Sequence, residues 1–130
     1  MKKVIVATIA SLLSLSAVAH THSAVPCAAY LNATPYAHVV NKKTHQAFNV
    51  ERHLSNGIST EKYMFSNGKV MHGESRVVAG HSYCDGYLKD GHHYVKDSKY
   101  TISKRQHGYS VKVFYDGRLV EELRVYPVMH

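Results

Sequence analysis

The chain has no tryptophan, three prolines, two cysteines and only nine acidic residues among 130. Each shortage closes off a class. The two cysteines make no CxxC pair, and no HExxH or close Cys/His cluster appears, so a structural zinc site has no support. There is no GxSxG elbow. The carboxylates fall in expected turns (Asp85, Asp90, Asp116) or in the last apolar run (Glu121, Glu122), and no carboxylate pair is readable from the spacing. The expectation is that the protein is not an enzyme. Scarce proline and scattered glycine leave no linker or low-complexity tract. No long amphipathic helical stretch offers a membrane or partner-binding helix.

The one apolar run of any length is residues 4–19, VIVATIASLLSLSAVA, behind Lys2 and Lys3. It is short for a membrane span, which needs about 20 strongly apolar residues, and it carries three serines. A basic start, an apolar middle and the small-x-small pattern Ala17-Val18-Ala19 read as a secretory signal cut after Ala19. A cut after Ala24 fits less well, because it places His22 where a small residue is wanted. The expected organisation is a signal at 1–19, a flexible lead-in at 20–26 and a single β-rich domain at 27–130. The expected location is secreted or periplasmic, with no transmembrane helix once the signal is gone.

Against these absences stand ten tyrosines and 11 histidines. Removing residues 1–19 takes Lys2 and Lys3, leaving 14 basic residues against nine acidic, a net charge of +5. Exposed imidazoles would add to that charge as the surroundings acidify through pH ~6.5. Such a surface suits an anionic envelope component or an acidic protein. Nucleic acid is not expected as a partner of an exported chain. In that compartment Cys27 and Cys84 are expected to form one disulfide. The alternative, a lipoprotein cysteine at Cys27, is opposed by Pro26 before it and would leave Cys84 unpaired.

The turns are the clearest structural signal. Asn56-Gly57, Asn67-Gly68, Asp85-Gly86, Asp90-Gly91 and Asp116-Gly117 all accept the positive φ of hairpin turns. Short runs rich in Val, Tyr, Phe and Ile lie between them. The expected fold is all-β: a small antiparallel meander closing as a sandwich or a barrel, with one disulfide and little helix. A two-residue loop at Asp116-Gly117 sets Tyr115 against Arg118, Phe114 against Leu119, Val113 against Val120 and Lys112 against Glu121. Glu122 and Arg124 then fall on the apolar face, which predicts a bulge or bend near Glu121. A hairpin around Ser66-Asn67-Gly68 would place Phe65 opposite Val70 and Met64 opposite Met71. At 27–40, one helical turn is expected to give way to extended chain at Thr34-Pro35.

Two groups of residues are candidates for function. The stretch 81–100 gathers tyrosine, lysine and histidine, and Tyr83, Tyr87, Lys89, His92, His93, Tyr94 and Lys96 are the expected binding residues. Tyrosine offers rigid area with a polar tip, which suits recognition. A cut after Ala19 would also leave His20-Thr21-His22 at a new amino terminus. An amine, two backbone amides and the His22 ring can then wrap Cu(II) in a nitrogen plane. His20 and His22 are the candidate copper or zinc ligands. His72 and His81 flank an expected turn region and are a further pair that could converge there. Adjacent His92 and His93 would point to opposite faces of a strand. The leading expectation is a binding protein of the inhibitor, immunity or adhesion type. The alternative is periplasmic copper or zinc handling.

Overall fold

A computed structural model describes residues 23–90 and 93–129. Helix α1 (Cys27–Ala33) precedes eight strands: β1 (Tyr36–Asn41), β2 (Ala47–Ser55), β3 (Ile58–Phe65), β4 (Val70–Val77), β5 (Tyr83–Asp90), β6 (His93–Lys104), β7 (Tyr109–Tyr115) and β8 (Arg118–Pro127). Each strand pairs antiparallel with the next, and β8 pairs back onto β1. The meander is therefore a closed barrel rather than a sandwich, and closure leaves no sheet edge unpaired among the described strands. Among the described residues no helix is long and apolar enough to cross a membrane.

The turn chemistry sets the register. Asn56 and Gly57 have φ of 53° and 76°, and Asp116 and Gly117 have 54° and 80°. These are the left-handed pairs that tight two-residue hairpins need. Ser55 accordingly faces Ile58, and Tyr115 faces Arg118. The expected bulge in the last hairpin is present. It inserts Val120, so Val113 faces Glu121 and Lys112 faces Glu122, one position beyond the straight pairing. The hairpin at 66–68 also differs from expectation. Its loop has three residues with Gly68 at φ 90°, and Phe65 bonds back to Lys69. Met64 thus faces Val70 and Tyr63 faces Met71. Asp85-Gly86 is not a turn but lies inside β5. Gly86 is there for space: a Cβ on it would stand 3.0 Å from Ser98 Oγ and 3.3 Å from the Tyr100 ring.

Helix α1 plugs one end of the barrel. Cys27, Tyr30 and Leu31 share its inner face and are buried. The Thr34 hydroxyl donates to the Tyr30 carbonyl at 2.8 Å, and the chain extends from Pro35 into β1, as expected. The expected disulfide, Cys27–Cys84, fastens the helix to the start of β5. Residues 23–25, expected to be loose, run beside β6: Val25 N–H donates to the Ile102 carbonyl at 2.9 Å and Lys104 N–H to the Ser23 carbonyl at 3.1 Å. The core gathers at this end, with Ala37, Val39, Val50, Tyr100, Ile102, Val111 and Val125 around the helix. The opposite end, where β1–β2, β3–β4 and β7–β8 turn, has no helix across it among the described residues.

Candidate functional site

Alternation along a strand sends every second side chain inward. On β2 the inward set is Phe48, Val50, Arg52 and Leu54, and an arginine there faces a closed interior. The tight turn at Asn56-Gly57 places Arg52 directly opposite Glu61 on β3. The two form an ion pair with side-chain exposures of 7% and 0%. Charges this deep persist only when paired and hydrogen-bonded. Glu61 meets that condition fully. Its Oε2 accepts from Arg52 and from Ser59 Oγ at 3.3 Å, and its Oε1 accepts from the Tyr63 hydroxyl and from Ser75 Oγ at 3.0 Å. Four donors occupy the four lone-pair positions a carboxylate has.

The network extends outward from the pair. Tyr100 donates its hydroxyl to Ser75 Oγ at 2.5 Å. Arg52 donates from Nε to the Thr34 carbonyl at 3.0 Å and from Nη2 to the Tyr30 hydroxyl at 3.1 Å, which ties the helix to the barrel wall. Burial holds the phenols of Tyr63 and Tyr100 above their ordinary range, and the Glu61 charge adds to the effect. Burial also raises Tyr30, with Arg52 opposing it. Burial is the largest single influence on the Arg52 guanidinium and works against its charge, but Glu61 and the phenols of Tyr30, Tyr100 and Tyr63 together outweigh it and hold it above its ordinary range. A Cβ on Gly73 would come within 2.9 Å of the Tyr63 ring, so glycine there, like Gly86 beside Tyr100, leaves room for an inward phenol.

This network floors a cavity of about 360 Å³. Its walls are apolar, formed by Val39, Phe48, Phe65, Met71, Leu88 and Leu123 among others. The Phe48 ring packs against Phe65 and Tyr63 with centroids 5.0 and 5.8 Å away. Asn41, Gln46, Lys69 and Glu121 line it at the end opposite the helix. The arrangement is a polar floor, an apolar belt and a polar rim. Its volume lies within the range of sites that hold one small molecule, and eight strands give a barrel of that capacity.

Of the residues expected to bind, Tyr83, Tyr87 and Lys89 lie on the outer face instead. Tyr83 and Tyr87 line a groove of about 770 Å³ with Phe114 and Tyr115. Lys99 lies 4.9 Å over the Tyr83 ring and bonds Asp85 at 3.0 Å, and Arg76 lies 4.9 Å over Tyr87. Lys89 bonds Glu74 at 2.8 Å. Asp85, Asp97 and Asp116 outnumber Lys99 along the groove, so its described part is not basic. His92 lies outside the described residues, as do the side chains of His93, Tyr94 and Lys96. His20 and His22 lie outside them too. Among the described residues no three His, Cys, Asp or Glu side chains gather as a metal site. His72 and His81 do not converge: His72 is near the start of β4 and His81 follows its far end. The described histidine side chains, at positions 38, 45, 53, 72, 81 and 107, are all exposed.

Sequence reasoning missed Arg52, Glu61, Tyr63, Ser75 and Tyr100. The signal was present in the Asn56-Gly57 turn, which by itself sets Arg52 against Glu61. Comparison with protein-family models, with curated proteins and with solved structures finds no match for the chain.

Proposed function

We propose that the protein is an exported, non-catalytic binding barrel that holds one small, largely apolar molecule inside. The observation that carries this reading is the cavity of about 360 Å³ above a charge-balanced polar floor. The apolar wall supplies affinity by burying ligand surface, at roughly 25 cal/mol per Å² before the costs of association. Binding is favoured over catalysis because Glu61, the deepest carboxylate among the described residues, has its lone pairs filled by four protein donors. A carboxylate so held has no free pair to take a substrate proton. The signal pattern at 1–19 and the disulfide support export.

The test is fluorescence titration with an uncharged apolar dye, compared with a Leu123→Trp variant that fills the belt. The expected result is saturable one-to-one binding by the native chain and at least tenfold weaker binding by the folded variant. Equal binding by both would remove the cavity as the site.

A second reading keeps the expectation of macromolecular recognition. It is favoured by the outer groove, where Tyr83, Tyr87, Phe114 and Tyr115 line one concave face. Capture of a partner from envelope extract by the native chain, lost in a Tyr83→Ala/Tyr115→Ala variant, would support it. Equal capture by that variant would refute it. The copper alternative rests on His20 and His22, and intact mass of the mature chain tests it directly: a start other than His20 ends it.

A further inference from the structure

We infer that the barrel selects its ligand by the charge of one end: it takes a mostly apolar molecule with an uncharged polar terminus, such as an alcohol or a ketone, and rejects the carboxylate or ammonium of equal length. The inference rests on the binding reading above and adds to it the chemistry of the floor.

At the floor, Arg52 and Glu61 cancel one another within the protein. Glu61 has no acceptor capacity left. Arg52 has used three of its five N–H groups, on Glu61, Tyr30 and the Thr34 carbonyl. The protons of Tyr63 and Tyr100 are committed to Glu61 and Ser75. What remains is a short inventory. The Tyr30 hydroxyl accepts from Arg52, and among the described residues its own proton finds no acceptor. Two Arg52 N–H groups are unspent. The oxygens of Tyr63 and Tyr100 retain lone pairs. Two kinds of donor and two weak acceptors, with no net charge, match a hydroxyl or a carbonyl.

An ionised terminus fares worse. A carboxylate entering the floor would leave water and meet Glu61, while Arg52, the one cation there among the described residues, is already paired. An ammonium would meet Arg52. Neither finds a free counter-charge to offset its desolvation. Lys69 and Glu121 are also charged, but they stand at the rim, exposed and opposite in sign, where water screens them. They discriminate little.

The experiment is displacement of the uncharged dye at neutral pH by four straight-chain ligands of one length: alcohol, methyl ketone, carboxylate and ammonium. The native chain is expected to bind the alcohol and ketone at least tenfold more tightly than either ion. Carboxylate binding equal to or tighter than alcohol overturns this inference and leaves the binding reading standing. No displacement by any ligand sinks both. A Lys69→Gln variant is expected to keep the same order; loss of selectivity there would move the discriminating group to the rim and overturn the argument. Glu61→Gln frees the Arg52 charge, and that variant is expected to shift the alcohol-to-carboxylate ratio at least tenfold towards carboxylate. An unchanged ratio in folded Glu61→Gln counts against the floor. Should that variant not fold, the native series and Lys69→Gln decide the matter.

Discussion

Glu61→Gln is the perturbation that bears most weight on the barrel itself. The native carboxylate is fully buried and receives four donors. An amide offers one oxygen and one NH2; with its oxygen towards Arg52, the NH2 faces the Tyr63 and Ser75 hydroxyls, which lose their acceptor and must turn to accept instead. Arg52 is left buried with no counter-charge. Removing one partner of a buried pair costs about 3–5 kcal/mol, and the full upper half of that range is expected here. Arg52→Met should cost about 3 kcal/mol, since Glu61 keeps Ser59, Tyr63 and Ser75 as donors. The double variant Arg52→Met/Glu61→Gln removes both charges and should lose only about 1–3 kcal/mol, chiefly for the Thr34 carbonyl that Arg52 had satisfied. The cycle should therefore return a coupling of at least about 3 kcal/mol. Urea unfolding followed by far-ultraviolet circular dichroism, with the disulfide intact, measures all four proteins. Single variants that each lose under about 1 kcal/mol, or an additive double variant, would refute the reasoning.

Three further outcomes are expected. Tyr30, Tyr63 and Tyr100 all have raised phenol values in the folded chain, so the folded state keeps protons that the unfolded chain releases above pH ~10. Stability is then intact below pH ~10 and falls above it by up to about 4 kcal/mol per pH unit; part of the tyrosinate absorbance should appear only together with unfolding, and a single reversible titration of every tyrosine with structure retained would contradict this. Reducing Cys27–Cys84, which are 57 residues apart, should lower stability by about 4 kcal/mol and weaken dye binding as α1 loosens from the floor; unchanged urea midpoints with and without reductant would refute it. Gly108→Ala places a Cβ against the Val125 carbonyl at φ 88°, whereas Gly117→Ala, at φ 80°, meets nothing within 4 Å. The second should cost about 1 kcal/mol for the left-handed backbone alone and the first at least about 2 kcal/mol more, with equal costs by thermal unfolding as the contrary result.

Much of the fold was legible because glycine turns and alternation act locally. Asn56-Gly57 and Asp116-Gly117 announce their hairpins, and the mismatch of Glu122 and Arg124 with the apolar face announced the bulge at Val120. Closure was not legible, because the pairing of β8 with β1 joins residues whose separation in sequence no local pattern records. Asp85-Gly86 misled because its glycine answers the Tyr100 ring rather than a turn. The site was hidden for a related reason. On β3 the inward set Ser59, Glu61, Tyr63 and Phe65 is no more apolar than the outward set Ile58, Thr60, Lys62 and Met64. Alternation alone cannot tell which face is buried. Only the hairpin register, carried from Ser55 and Ile58 back to Arg52 and Glu61, marks that face as the interior.

Native mass spectrometry of the protein taken directly from the compartment in which it resides tests the central claim most directly. The account predicts a one-to-one complex with an uncharged, largely apolar small molecule that is released when the barrel is unfolded and passes into organic solvent. A chain recovered empty, and remaining empty after exposure to alcohols and ketones that fit the cavity, would contradict it.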